Sequence, residues 1–115
     1  MDTLQFFRLT ASYIALQIYY AAHSFIVFRT VLVNQLLRSA TSMGANLYEA
    51  QYAQSTNDFI TKFEIAQKDC CETEYWLELL FATESIDETK YKKLQNDCGA
   101  IRRMLISSLK TIKSK

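Results

Sequence analysis

The chain has 115 residues, 50% of them hydrophobic, with two glycines and no proline. Average usage of about 7% Gly and 5% Pro would supply roughly eight and six, and sandwiches and barrels spend those residues on turns, so an all-β fold is excluded. With 22% charged residues and a net charge of +1, the chain is too apolar for disorder and its overall charge names no partner. It reads as one domain, residues 1–115.

The first predicted helix runs over about residues 3–23, with Leu4, Phe7, Ala11, Ile14, Ile18 and Ala21 in alternating steps of three and four. The apolar stretch Tyr13–Phe28 is interrupted by Gln17, His23 and Ser24 and closed by Arg29. It falls short of the about 20 apolar residues a membrane span needs, and no leader pattern precedes it. The expectation is a cytoplasmic protein without a membrane role. A turn is expected near His23–Thr30, although Phe25, Ile26, Val27 and Phe28 are not turn residues.

The second helix is predicted over about 30–52, on the seam Val33, Leu37, Ala40, Gly44 and Leu47. The third, about 56–84, carries Phe59, Phe63, Ala66, Cys70, Thr73, Leu77 and Leu80, and Ser55 with Asp58 looks like its N-terminal cap. The fourth, about 87–113, carries Tyr91, Leu94, Cys98, Ile101, Leu105, Ser108 and Ile112. Asp87 is its expected cap, with Ile86 and Tyr91 placed as a hydrophobic staple. Four seams with short breaks describe an all-α, antiparallel up-and-down four-helix bundle.

The second helix also bears a polar line: Gln35, Arg38, Ser42, Asn46 and Glu49. It is read as a satisfied polar seam or an interface. An arginine among small and apolar residues needs a carboxylate, and Glu72 or Glu74 of the acidic third helix is the expected partner. Di-iron bundles use two Glu-x-x-His motifs. The chain has one histidine, His23, and neither that motif nor a glycine-rich phosphate loop. The expectation is no enzyme, no metal and no cofactor. Cys70, Cys71 and Cys98 are odd in number and lack CxxC spacing, so they read as reduced thiols.

Charge is unevenly spread. Residues 1–86 carry five basic and nine acidic side chains, and residues 87–115 eight and three, so the last helix has a net charge of +5 on an acidic body. Lys92, Arg103 and Lys110 share one face, with Lys93, Arg102 and Lys113 beside it. These six are candidate phosphate contacts, or they complement the acidic third helix. Tyr13, Tyr19, Tyr20, Phe25, Phe28, Tyr48, Tyr52 and Trp76 lie mostly off the seams. Exposed together, they exceed the patch monomers tolerate, and a homo-oligomer is expected.

The run Gln35-Leu36-Leu37-Arg38-Ser39-Ala40-Thr41-Ser42-Met43-Gly44-Ala45-Asn46-Leu47-Tyr48-Glu49-Ala50 resembles the signature of the 23S rRNA intervening-sequence, or S23-type, proteins. So do Ser55-Thr56-Asn57-Asp58-Phe59-Ile60-Thr61-Lys62-Phe63-Glu64-Ile65-Ala66 and Glu72-Thr73-Glu74-Tyr75-Trp76-Leu77, and the resemblance spans residues 33–115. It implies an antiparallel four-helix bundle, a homo-oligomer of about five subunits and no catalytic residues. Some relatives are encoded within inserts in 23S rRNA genes. Others accompany the reverse transcriptase of diversity-generating retroelements, where a basic surface engages structured RNA and polymerase. The function expected is an adaptor for RNA or a ribonucleoprotein; the alternative is a structural oligomer or protein-interaction module without nucleic acid.

Overall fold

The computed structural model describes residues 2–22 and 25–115 and consists of four helices: α1 (Thr3–Ala22), α2 (Phe25–Ala50), α3 (Thr56–Ala82) and α4 (Glu88–Lys113). They form the expected antiparallel bundle, elongated to 52 × 30 × 24 Å. Its radius of gyration, 16.2 Å, exceeds the about 13 Å of a compact globule of this length. His23 lies outside the described residues, as does the side chain of Phe25. The second helix begins at Phe25 rather than near residue 30: β-branched and aromatic residues are weak helix formers, but Phe28 and Leu32 are drawn into the core.

The helix ends are chemically specified. Asp2 and Gln5 cap α1 reciprocally, the Asp2 carboxylate accepting from the Gln5 amide at 2.6 Å and the Gln5 side chain accepting from the Asp2 amide at 3.1 Å. Ser55 accepts from the Asp58 amide at 3.0 Å, and Asp87 accepts from the Lys90 amide at 2.8 Å. Ile86 and Tyr91 both pack against the core, as a staple requires. The end of α3 closes with two reverse bonds, Ser85 N–H to the Leu80 carbonyl at 2.8 Å and Glu84 N–H to that of Phe81 at 3.0 Å. That closure puts Glu84 at φ 58°, a left-handed position suited to glycine.

The core has two parts. Met43, Ala66, Cys70, Leu77, Cys98 and Leu105 form the larger, shared by α2, α3 and α4. Leu32, Leu79 and Leu80 form the smaller, at the end where Ala15 and Phe28 join. The seam of α3 is as expected, with Ala66, Cys70, Thr73, Leu77 and Leu80 buried. That of α2 is rotated: Leu32, Ser39, Met43 and Ala50 are buried, while Leu37 and Gly44 face outward. In α4, Leu94 is exposed, and Gly99 and Leu109 join the buried set.

The departure at α1 is larger. Every residue of its predicted seam, Leu4, Phe7, Ala11, Ile14, Ile18 and Ala21, is exposed. The helix touches the bundle through Ser12, Ala15, Leu16 and Tyr19, which are half-buried, with the Tyr19 and Phe28 rings 5.0 Å apart. Farther along, Arg8 pairs with Glu78 at 3.0 Å.

Replacing Glu84 with glycine relieves a left-handed residue, which costs about 1–2 kcal/mol with an L side chain. Set against the entropy glycine regains on unfolding, E84G is expected to stabilise the fold by about 1 kcal/mol. E84A, which keeps a Cβ, is not. Urea denaturation midpoints distinguish the two.

Candidate functional site

The polar line of α2 is a seam against α3. Ser42 Oγ donates to Asp69 Oδ2 at 2.7 Å, and Asn46 Nδ2 lies 3.5 Å from the same oxygen. One turn away, Ser39 and Thr73 share a fully buried hydroxyl pair at 2.8 Å. Thr73 also donates to the Asp69 carbonyl at 2.8 Å. Glu49 closes one end through Lys62 at 2.7 Å. Arg38 closes the other, donating to Glu72 through its guanidinium and to Gln35 Oε1 at 2.9 Å, while Trp76 Nε1 donates to Glu72 at 3.3 Å. No buried side-chain polar atom among the described residues lacks a partner.

Two expectations change. Arg38 meets its carboxylate, but its side chain is 54% exposed, so the pair borders the seam and adds only about 0–1 kcal/mol. Glu74 does not face α2. It stands two residues from Glu72, about 200° around the helix, and binds α4 through Arg102 Nε at 2.9 Å. Asp69, Ser39 and Thr73 carry the seam's interior, and the sequence reading did not single them out as a network. Their signal was a serine and a threonine at apolar spacing with an acid one turn earlier.

The basic helix divides in the same way. Arg102 pairs with Glu74 of α3 through Nε at 2.9 Å, the complementary role that the charge pattern offered beside phosphate contact. Lys113 reaches Glu64 of α3 at 3.1 Å. Lys92 pairs with Glu88 at 2.9 Å and Lys93 with Asp97 at 3.1 Å, all on exposed stems. Arg103 and Lys110 make no ion pair among the described residues, and both point outward on α4. The Arg103 guanidinium folds back over Gly99, where an added Cβ would lie 3.1 Å from it.

Cys70 and Cys98 are buried and Cys71 is exposed. The Cys70 thiol donates to the Cys98 carbonyl at 3.3 Å. Burial, reinforced by the Cys98 and Glu74 charges, pushes it from 9.0 up to about 12. Among the described residues no group of His, Cys, Asp and Glu is arranged to hold a metal, and no helix is long and apolar enough to cross a membrane.

The described polar residues of this antiparallel four-helix bundle are engaged chiefly in helix registry and surface charge. The model of the 23S rRNA-intervening sequence proteins matches residues 8–107, and the chain belongs to that family. It is similar to a solved structure of a protein of unknown function, from the S23 ribosomal protein family, of Bacteroides thetaiotaomicron VPI-5482. Identity is 41% over 90% of this chain and 91% of that one, with a TM-score of 0.68. No curated protein matches the chain.

Two outcomes follow from this geometry. Asp69→Ala strips Ser42 and Asn46 of a buried acceptor and is expected to lower stability by about 1–3 kcal/mol, more than Asp69→Asn, as measured by urea unfolding. Cys71 is expected to react with a disulfide reagent at pH 8 while Cys70 does not. The Cys70 thiol stays protonated in the fold above the pH at which it ionises in the unfolded chain. Its contribution is therefore complete below pH 9.0 and lost as pH rises toward about 12. Cys70→Ala should flatten that alkaline decline in thermal unfolding.

Proposed function

We propose that this protein is a non-enzymatic, self-assembling helical bundle that serves in the cytoplasm as an adaptor for RNA or a ribonucleoprotein, such as a reverse transcriptase with its template. The observation that carries this reading is the outer face of α4. There Arg103 and Lys110 stand seven residues apart with no carboxylate partner among the described residues, and Lys92 extends the same line, held only by an exposed neighbour. Such cations bind phosphate by displacing counterions, without regard to sequence. Repeated around an oligomer, the face would form a belt much more basic than the net +1 of one chain. No aromatic side chain stands on that line, so shape and charge rather than base stacking would govern recognition.

A second reading, a protein-interaction module without nucleic acid, is favoured by the pairs Arg102–Glu74 and Lys113–Glu64, which spend two cations inside the chain. Filter binding of a structured RNA hairpin separates the two. The adaptor reading expects binding at low salt that falls steeply toward physiological salt. Arg103→Glu with Lys110→Glu should weaken it by about tenfold or more at low salt while leaving helicity intact. Absence of wild-type binding at low salt contradicts the RNA role and leaves the interaction module.

A further inference from the structure

Cys70 of α3 and Cys98 of α4 meet in the larger core cluster, where they are 0% and 7% exposed. The Cys70 Sγ lies 3.3 Å from the Cys98 carbonyl oxygen. A cysteine sulfur stands only one bond beyond Cβ. This contact therefore holds the two backbones near the separation a disulfide spans, with Cα atoms about 4.4–6.8 Å apart. Their neighbours are small, Ala66 one turn before Cys70 and Gly99 after Cys98, which suits a close approach of the two helices. The charge of Cys98 is felt at Cys70, where it adds to burial in raising the thiol. Neither sulfur takes part in the α2–α3 seam or the outer face of α4, and no group of metal ligands forms among the described residues. Cys71 is no rival partner, since it points about 100° away around α3 and is exposed.

We infer that Cys70 and Cys98 are an oxidisable pair, which closes to a disulfide bracing α4 against α3 when a peroxide reaches the core. The inference stands apart from the adaptor reading. Hydrogen peroxide is small and uncharged, so it enters where a bulky disulfide reagent is shut out. Cys98, the less deeply buried, attacks one peroxide oxygen as its thiolate. The O–O bond breaks and hydroxide leaves, giving a sulfenic acid. The Cys70 thiolate then attacks that sulfur, the S–O bond breaks, and a second hydroxide leaves. The two thiol protons and two hydroxides make two waters, so two electrons pass from the sulfurs to one peroxide.

Burial raises both thiols above their ordinary value, which makes the closure slow and confines it to sustained oxidant. The product suits the site. A disulfide has no polar hydrogen to satisfy, and the Cys98 carbonyl, interior to α4, keeps its helical acceptor bond. Closing residues 70–98 into a loop restrains the unfolded chain, so the oxidised protein resists unfolding more than the reduced one.

Peptide mapping of the full chain carrying Cys71→Ser, which removes the exposed thiol, tests the pairing. The reduced protein is treated with hydrogen peroxide, free thiols are alkylated in denaturant, and trypsin releases the peptides Asp69–Lys90 and Leu94–Arg102. The two are expected joined within a single chain on non-reducing electrophoresis, lighter by two hydrogens than their sum, and separate again after dithiothreitol. The urea midpoint of the oxidised protein is expected above that of the reduced one, and to return on reduction. Cys98→Ser in the same background is expected to show neither effect; should it fail to fold, the peptide map decides. Thiols still alkylated after prolonged peroxide, sulfinic acids without a joined peptide, or a join only between chains overturn the pair. A joined pair with an unmoved or lowered midpoint, or a midpoint shift that persists in Cys98→Ser, overturns the brace.

Discussion

Asp69 is 8% exposed, makes no ion pair among the described residues, and is held by neutral donors on the facing helix. A carboxylate in that position is tolerable only while those donors stay in place. Hydrogen bonds are directional, so the register of α2 on α3 is set by Ser42 against Asp69 and Ser39 against Thr73. Apolar packing alone would resist sliding far less specifically. The adjacent residue then sets the other side of α3: Cys70 packs into the core and donates to the Cys98 carbonyl of α4, while Glu74 holds Arg102 at the rim.

With one face of α3 given to α2 and another to α4, α1 has only the small cluster at the end of the bundle. That arrangement explains why so apolar a helix keeps a broad uncovered face. It also sorts the charges. Residues near the seams are neutralised within the chain, whereas Arg103 and Lys110 remain outward-facing on α4. The exposed apolar face and the outward-facing basic residues thus lie on different helices, α1 and α4.

Much of the bundle was legible because periodicity is a local property. The seam of α3 is apolar or small at each step and was read in its true register. The caps at Ser55 and Asp87 follow from short-range chemistry. The register of α2 was not legible, because its fully buried position is a serine, Ser39, whose partner Thr73 is 34 residues away, and no pattern within α2 shows that such a hydroxyl is satisfied. Leu37, outwardly the better core residue, faces away for the same reason. The polar line, read as a seam or an interface, packs against α3, and the pairing of Arg102 with Glu74 is one of the two roles read for the basic helix. Which of Glu72 and Glu74 meets which helix was not legible, since charge counts do not say which helix a side chain meets. The α1 seam was real as a pattern, but within the single chain its residues stay exposed, since α2 and α4 already occupy α3.

Amide hydrogen exchange of the full chain across a dilution series tests this account most directly. The amides of α3 around Asp69 and Thr73 should exchange slowly and equally at every concentration, because the α2–α3 seam belongs to the single chain. The amides of α1 should be protected when concentrated and lose that protection on dilution. Protection of α1 that is independent of concentration, or loss of protection in α3 together with α1, would contradict it.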